Sequence, residues 1–509
     1  MEETMGESIR TTRMALVEET VEGTLVYPSS GANFIPIETG FSMDYERESI
    51  ENEELSGSLG KKKTVPGLPT AKASFSLYPK GSGVEGQAPS SGVNVLLKAL
   101  WGAQSTASVE YDTIAGSTVT AINVGVGEGA TFSIGEGLLV KHSAFAWELA
   151  VIKGITGDVL TPLFALNNAP ATGTNLGKAI HYTTAESGHK TLSVHGYWGN
   201  GQAYVAEPGC RPISMVASGD AAGFLNAQFE LEGLDQFYDP ILIAATDIKL
   251  DFTDDDGTTV ATIVAGTYRS PKALADTLTA ACQAVTTQTM VIEWIESSGK
   301  FKIYSTGTLL SLLWNTGANA ANTVGDKLGF LVAADDTGTG AVTGYTADTE
   351  KDWSAPYTPA FDDNDPIILR NSKLMVGTQL QNECVGASNV SYELTMDKID
   401  KLSLCSVNGK SGVALDTRSI NLSCEVLVEE HKVRWYEALQ DATGIGFQLN
   451  TGPKSGTNFL VGKSMILHAK DCTVTVHNLG EKDGLVNLAL ELVAFVDASQ
   501  NSEGGQNFL

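Results

Sequence analysis

Three histidines are the first side chains whose type could support chemistry. His181, His189 and His195 are separated by eight and six positions. These spacings match no common metal-binding motif. We therefore expect histidines that lie at the surface or pair with other side chains, and we predict no metal site among them.

Two acidic runs, at 254–256 and 362–365, suggest a calcium loop. An EF-hand loop needs glycine at its sixth position and oxygen ligands at its first and twelfth positions. With Gly257 in the sixth position, Phe252 and Ile263 would occupy the other two, and neither side chain can coordinate calcium. The first run therefore predicts a solvated turn.

Motifs of enzymes and nucleotide-binding proteins are missing from the sequence. It has no nucleophile elbow, no zinc-protease helix motif and no Walker-type loop. The glycine-rich segment 125–137 lies between strand-like segments, so no helix dipole is available there to hold a phosphate. We predict no catalytic residue and no cofactor, and we expect a protein that is not an enzyme. A β-rich hydrolase with carboxylates paired in space is the enzymatic alternative.

Charge narrows the possible partners. The 509 residues include 33 Lys and Arg against 60 Asp and Glu, a formal net charge of −27. A protein that grips nucleic acid neutralises phosphates with a basic surface, and docking on anionic lipid has the same requirement. The composition argues against both classes, but it allows a protein that DNA passes without binding.

No segment is long and apolar enough for a transmembrane helix, and the N-terminal residues lack the apolar region of a signal peptide. The six cysteines are widely spaced and contain no C-x-x-C motif. We therefore expect free, buried thiols and folding in a cytoplasm.

Period-two hydrophobicity dominates the chain and predicts a mainly β fold with antiparallel strands. Clear examples begin at Thr70, Ser419 and Gly223. Helical patterns are few: 92–102, 431–444, and a segment that begins with a Ser270 cap and a proline.

An internal repeat is the most informative feature of the sequence. The segment from Gly40 resembles the segment from Ala387, and each runs from an alternating strand into a Gly-Lys loop. Gly60 then matches Gly409, an offset of 349. The strand from Ala73 matches the strand from Ile420, an offset of 347.

Two further matches occur in the same order along both copies. The short helix 96–101 corresponds to the segment 434–439. The segment 223–231 aligns with 484–492 at an offset of 261. Collinear order across four pairs favours duplication over chance. The falling offset indicates an insertion in the first copy.

Two inserted modules interrupt the repeat. The first is strand-rich and resembles a small barrel or sandwich, and the second combines hairpins with the proline-capped helix. The predicted domains are a discontinuous first repeat (1–104 and 187–241), a small β insert (105–186), an α+β insert (242–356) and a second repeat (357–509).

The long polar loops of the repeat, 57–69 and 404–416, hold the most basic cluster in this acidic chain. One interpretation is a solvated hairpin tip. The other is a contact element that reaches a second copy of the chain. The residues that we assign to this contact are Leu59, Lys61, Lys62, Lys63, Val65, Leu68, Asn408 and Lys410.

The segments 22–79 and 90–102 resemble phage tail tube proteins of the siphophage type. The resemblance lies in a Gly-Thr-Leu-x-x-Pro-like opening, an acidic "ENEELSGS" loop and an "LLKALWG" helix. The later segments 211–234 and 483–495 fit the hairpins of that family. About half of the chain is covered, and the two inserts look like decoration domains.

The resemblance implies tandem tail-tube-type β barrels or sandwiches with short flanking helices. It implies rings that stack into a tube, with a β-lined channel through which the genome passes at ejection. Duplication favours three chains per pseudo-sixfold ring, and a hexamer is the alternative. Candidate lumen residues are Asp44, Glu46, Glu48 and Glu393.

The same resemblance implies the partners and the location. Besides further copies of this chain, they are a tape measure protein, a tail terminator and distal tail proteins, while viral DNA passes without specific binding. The protein would reside in the virion tail after assembly in the host cytoplasm, with no membrane partner. The competing hypothesis is a receptor-binding, adhesin-like virion protein whose inserts bind host glycan.

Overall fold

A computed structural model of the chain describes residues 11–52, 63–106, 109–199, 201–338, 341–380, 384–406, 409–428, 435–441, 444–482, 485–496 and 503–509. The fold is mainly β with few helices, as the period-two pattern predicts. None of the described helices could span a bilayer. The predicted domain boundaries stay a prediction.

The described residues form two compact units. The larger unit comprises Met14–Val194, Pro208–Asp235 and Tyr357–Leu509. The smaller unit comprises the described part of Met1–Arg13 together with His195–Glu207 and Gln236–Pro356.

A ladder of eight antiparallel strands runs through the larger unit. With all strands numbered in chain order, its spatial sequence is β3 (Ser42–Ile50), β4 (Val65–Leu77), β15 (Asn226–Gly233), β14 (Ala203–Asp220, from Pro208 onward), β26 (Ala387–Leu402), β27 (Lys410–Leu427), β32 (Leu485–Ala494) and β31 (Met465–Lys482).

Shorter strands extend and flank this ladder. They are β1 (Arg13–Glu18, from Met14 onward), β2 (Phe34–Ile35), β5 (Gly102–Thr106), β12 (Ile180–Thr184), β13 (Leu192–Trp198, up to Val194), β25 (Lys373–Gly377), β28 (Ile445–Thr451) and β33 (Gly504–Phe508). The strands β29 (Lys454–Ser455) and β30 (Asn458–Phe459) form a separate hairpin. The N-terminal part of β31 pairs with β28 and β33, and β33 pairs in turn with β12.

A second sheet of the larger unit has six short strands. Their spatial order is β6 (Tyr111–Asp112), β11 (Asn175–Gly177), β8 (Gly137–Lys141), β9 (Glu148–Thr156), β10 (Val159–Pro162) and β7 (Ile122–Asn123). The side chains of this sheet and its loops form a separate apolar core, in which Ile122, Val140 and Ile152 are fully buried.

Two helices pack on the core of the larger unit, α1 (Ser91–Trp101) and α4 (Trp435–Asp441). The predicted helix 92–102 is confirmed: α1 ends where Gly102 adopts a left-handed φ of 84°, which glycine tolerates without strain. The Trp101 ring at its end is fully buried 6.3 Å from the Tyr392 ring of β26. The first and second halves of the sequence therefore share one core.

The smaller unit combines hairpins with one long helix. Its elements are β16 (Phe237–Tyr238), β17 (Ile241–Ile243), β18 (Lys249–Asp254), β19 (Gly257–Thr262), β20 (Gly266–Tyr268), α2 (Pro271–Gln283), β21 (Met290–Ile295), β22 (Lys300–Ser305), β23 (Leu310–Leu312), α3 (Gly325–Leu328) and β24 (Tyr345–Thr346). The predicted cap of α2 is confirmed, because the Ser270 hydroxyl accepts a hydrogen bond from the Ala273 N–H.

The acidic run 254–256 forms the predicted turn, between β18 and β19. Asp255 accepts hydrogen bonds from the N–H groups of Thr308 and Leu309 at 2.6 and 3.0 Å. Asp256 accepts one from the Thr287 N–H at 2.6 Å. These bonds lower the pKa of both carboxyls. The run therefore fastens neighbouring loops to the turn.

Two of the buried histidines of the larger unit, His181 on β12 and His468 on β31, lie together with their rings stacked at 6.2 Å. The Nδ1 of His181 lies 2.6 Å from the Asn507 Oδ1, so that nitrogen carries the proton. Burial lowers the pKa of His181 to about 4 and that of His468 well below its usual value. His181 thus follows the second of the two expected alternatives, a histidine that pairs with another side chain.

We predict that acid destabilises the larger unit through this histidine pair. A histidine of the unfolded chain binds a proton near pH 6.5, whereas folded His181 stays neutral down to about pH 4 and burial also lowers the pKa of His468. Stability therefore falls as the pH drops below 6.5. Each histidine contributes up to about 1.4 kcal/mol per pH unit there. Urea unfolding between pH 7.5 and 5 measures the slope. An imidazole NMR titration with a midpoint near pH 6.5 for either ring would contradict the assignment.

Candidate functional site: the eight-stranded ladder and its edges

The eight-stranded ladder consists of two equivalent halves. Phe75 pairs with Phe229 in the first half, and Cys424 pairs with Leu490 in the second. Met43 pairs with Ala73, and Tyr392 pairs with Leu422. Adding 349 carries β3 and β4 onto β26 and β27, and adding 261 carries β15 onto β32. The order β3–β4–β15–β14 is thus repeated as β26–β27–β32–β31.

The β-bulges repeat as well. The register of β3 with β4 shifts between Arg47 and Ser49, and that of β26 with β27 shifts between Met396 and Lys398, again 349 positions later. A second pair of bulges lies between 212 and 214 in β14 and between 474 and 476 in β31, 262 positions later. Bulges are specific structural features, so their coincidence supports duplication strongly.

One sequence alignment needs correction. The repeat predicted from the sequence matched Ala73 with Ile420 at an offset of 347, but in the ladder Ala73 is equivalent to Leu422. Ala73 pairs with Leu231, and Leu422 pairs with Leu492, which is the equivalent of Leu231. The error is two residues, one period of a strand. An alternating pattern cannot detect such a slip, because the same face stays apolar. The offset of 349 from the Gly-Lys loops was the correct one.

The two halves are joined by strand pairing. Residues 214–220 of β14 pair with residues 389–395 of β26, and Val216 lies opposite Glu393. The edge of the first half is therefore continued by the first strand of the second half. Sequence reasoning missed this junction, because the partners are far apart in the chain and no local pattern encodes it.

The ladder has one apolar and one polar face. Phe75, Phe229, Tyr392 and Leu422 are buried on the core face. The predicted lumen residues Asp44 and Glu46 alternate with core-facing Met43 and Tyr45, and Glu393 alternates with Tyr392 and Leu394; the register places these carboxylates on the polar face. Asp44 and Glu393 occupy equivalent positions, 349 residues apart. Glu48 lies at the bulge, where pairing is interrupted.

Acidic and small uncharged side chains cover the polar face between the bulges and the short hairpins. By register, the charged residues described there include Asp44, Glu46, Lys72, Asp220, Glu230, Glu393, Glu425 and Glu491, and the buried Glu232 lies opposite Lys72. Rows of serine, threonine, asparagine and glutamine separate them, such as Ser42, Ser74, Ser214, Thr395 and Ser419. Carboxylates predominate among these charged side chains, and such a surface repels phosphate.

Both long hairpin loops lie at the same end of the ladder, since β3 and β26 run in one direction and β4 and β27 return. Of the predicted contact residues, Leu59, Lys61, Lys62 and Asn408 fall outside the described part of the chain. Lys63 and Val65 are exposed and Leu68 is half-buried. Ile50 and Ile399, at equivalent positions beside the loops, are each 54% exposed.

Lys410 is described and its side chain is fully buried. Its Nζ lies 3.0 Å from the Glu232 Oε1 and 2.8 Å from the Asp400 Oδ1. Lys398 contacts the same Glu232 carboxylate. Glu232, on β15, is itself fully buried and joins the loop end of the β26–β27 hairpin to the first half of the ladder. The alternation of β15 gave no sign of this burial.

The N-terminal segment secures the same hairpin. Burial alone would raise the pKa of Glu22, but a hydrogen bond from Lys401, another from the Val413 N–H and the charge of Arg211 outweigh burial, so the pKa lies below its usual value. Glu22 and Glu232 thus hold the second long hairpin at two points. Both anchors come from the first half of the sequence.

Two strand edges of the ladder have no partner among the described strands. β3 pairs with β4 alone. Residues 473–482 of β31 pair with β32 on one side, and the other side of this segment meets no described strand, because β28 and β33 end their pairing at Cys472 and Ala469. Exposed edges of this length favour association with another strand.

No known family model matches this chain, and no curated protein does. Among solved structures, it is similar to a chain in the tail of an empty gene transfer agent particle refined in C6 symmetry, with 18% identity and a TM-score of 0.19. That match covers 24% of this chain and 92% of the other. A chain in the virion of a native gene transfer agent particle matches at 17% identity and a TM-score of 0.18, covering 25% and 92%. At these TM-scores the similarity is coarse.

No cluster of three or more potential metal ligands occurs among the described residues. The cysteines are free, with Cys384 and Cys405 exposed and the other four buried. The expectation of buried thiols is therefore correct for four of the six.

We predict that Glu232→Gln destabilises the protein by about 3 kcal/mol, because it leaves the buried ammonium of Lys410 with Asp400 as its remaining charged partner. Urea unfolding at pH 7 measures the change. Glu230→Gln is the matched control on the same strand, since Glu230 is exposed and its loss should change stability by less than about 0.5 kcal/mol. Equal effects of the two variants would show that the buried pair is not a stabilising clamp.

Proposed function

We propose that this protein is the structural subunit of a phage tail tube, located in the virion tail and assembled in the host cytoplasm. In this proposal three chains join their ladders into a closed ring, and rings stack into a tube through which the genome passes. The observation that carries it is the junction of β14 with β26. In the proposed ring, two neighbouring chains would form the same antiparallel strand pairing between their equivalent strands. An enzymatic role forms no part of the proposal.

The internal junction supplies the register of the contact between chains. β31 is the equivalent of β14, and β3 is the equivalent of β26. Moving the pair Val216–Glu393 by the offsets 262 and −349 gives Asn478 opposite Asp44 of a neighbouring chain. The edges of β31 and β3 that pair with no second described strand would thus pair with each other, which removes both strand edges.

Three chains would close a barrel of 24 strands, eight from each. At a strand spacing of about 4.8 Å and a tilt of about 40°, its backbone diameter is roughly 48 Å. Barrels of 16–18 strands already contain an aqueous channel. The polar face would line this channel, and its carboxylates would keep DNA from binding while it slides.

The long hairpin loops would make the contacts between rings. Both lie at one end of the ladder, and exposed Ile50 and Ile399 flank them. Apolar side chains beside lysines suit a contact with the acidic surface of the next ring. A tape measure protein inside the tube, a terminator and distal tail proteins at its ends complete the proposed set of partners.

We predict that Asp44→Cys combined with Asn478→Cys forms disulfides between chains. Directly opposed residues on antiparallel strands have Cα atoms about 4.5–5.5 Å apart, within the range of a disulfide. The background carries Cys384→Ser and Cys405→Ser, which removes the exposed thiols. Non-reducing electrophoresis of oxidised assemblies should show a ladder that ends at three chains.

The matched control is Glu46→Cys with Asn478→Cys, which is one strand period out of register and should crosslink poorly. Equal crosslinking of both pairs, or none in assembled tubes, would overturn the proposed register. A ladder ending at six chains would replace the trimeric ring with the hexamer. A protein that forms neither rings nor tubes, even with its tail partners, would overturn the function itself.

We predict further that Ile50→Asp with Ile399→Asp blocks stacking and leaves single rings intact. Both side chains lie beside the loops, and Ile50 lies beyond the part of β3 that would pair with a neighbouring chain. Negative-stain electron microscopy distinguishes rings from tubes. Val264→Asp is the control, as Val264 is 79% exposed in the smaller unit. Tubes of normal length from the double variant would contradict the assigned role.

A further inference from the structure

A cavity of about 180 Å³ lies in the larger unit, outside the eight-stranded ladder. Its walls come from the six-stranded sheet, from β25 and β28, and from the β29–β30 hairpin. Trp147, Phe164 and Phe459 supply aromatic surface. The volume suits one monosaccharide ring and is too small for a nucleotide.

The floor of the cavity holds an unpartnered acceptor. The Gln448 Nε2 donates hydrogen bonds to the Leu149 carbonyl at 3.3 Å and to the Asn450 Oδ1 at 2.8 Å. Both partners are acceptors, so the amide is oriented with its Oε1 away from them, and that oxygen is buried with no hydrogen bond. A buried acceptor without a partner is unfavourable, and a hydrogen bond from a ligand hydroxyl would satisfy it.

Two lysines give the cavity a positive charge that is unusual in this acidic chain. Lys454 lies with its Nζ 4.4 Å from the centre of the Phe459 ring, and it donates to the Asn371 carbonyl at 3.0 Å. Lys373 lines the same cavity, with its Nζ 3.4 Å from the Asn167 Oδ1. Burial lowers the pKa of both lysines, which means that an anionic partner would stabilise their charged forms.

The nearby Glu148 carboxylate is already engaged. It accepts hydrogen bonds from the backbone N–H groups of Asn167 and Asn168 at 2.7 and 3.1 Å, and it lies 3.2 Å from the His142 Nε2. It therefore partly offsets the charge of Lys373 but is held in place by the backbone. The cavity is left with more positive than negative charge.

We propose that this cavity binds an acidic monosaccharide unit of a polysaccharide, with its carboxylate on Lys373 and Lys454, a hydroxyl on the Gln448 Oε1 and its ring against Trp147. Aromatic walls combined with convergent polar groups are typical of small-ligand sites. A carboxylated sugar matches the volume, the charge and the acceptor together. The site does not depend on ring assembly, so it can be tested apart from the tube proposal.

Isothermal titration calorimetry of the full chain with glucuronate tests the site, with glucose and glucose 6-phosphate as comparison ligands. We expect a Kd of about 1 mM for glucuronate, and at least about tenfold weaker binding of glucose because it lacks the charge. Equal binding of glucose, or tighter binding of glucose 6-phosphate, would overturn the carboxylate assignment. If none of the three ligands shows saturable binding, the proposed site is overturned.

Lys373→Met and Lys454→Met should each weaken glucuronate binding by roughly 10–100-fold, the effect of losing one charge-assisted hydrogen bond. Lys272→Met is the matched control, since Lys272 lies on α2 in the smaller unit and is not part of the cavity. Thermal unfolding checks that each variant is folded. Unchanged affinity in both cavity variants would place the ligand elsewhere and overturn the proposal.

Discussion

The pairing of β14 with β26 is the contact on which the larger unit depends. It joins two four-stranded halves into one ladder with a single core face and a single polar face. Because side chains alternate along a strand, a slip of one residue at this junction would turn the apolar residues of one half toward solvent. The shared core of Trp101 and Tyr392 penalises such a slip.

Equivalent positions have diverged where the two halves meet different surroundings. Glu230 and Glu491 remain acidic on the polar face, and Ile50 and Ile399 remain exposed beside the long loops. Glu232, by contrast, corresponds to Val493. It is buried against Lys410 and Lys398, and these ion pairs hold the second long hairpin, whereas Val493 can form no such pair. The duplication is thus close in backbone geometry but asymmetric in its electrostatics.

The polar face and the small cavity illustrate opposite uses of charge. On the ladder, carboxylates at regular positions give the polar face a negative charge, which disfavours contact with a polyanion. In the cavity, two partly buried lysines and an unpartnered amide oxygen favour a small anion. The net charge of −27 agrees with the acidic polar face but gives no sign of the positively charged cavity, because a sum over the chain carries no information about location.

Alternation and turn residues in the sequence determined the mainly β class, the caps of α1 and α2, and the duplication, because these depend on neighbours in the chain. The placement of Asp44 and Glu393 at equivalent positions on one polar face also agrees with the pattern. Only the tertiary structure decided the offset of 349 for β4, the junction of β14 with β26, and the burial of Glu232, His181 and Lys410. Each of these rests on contacts between distant segments, which a local period cannot specify.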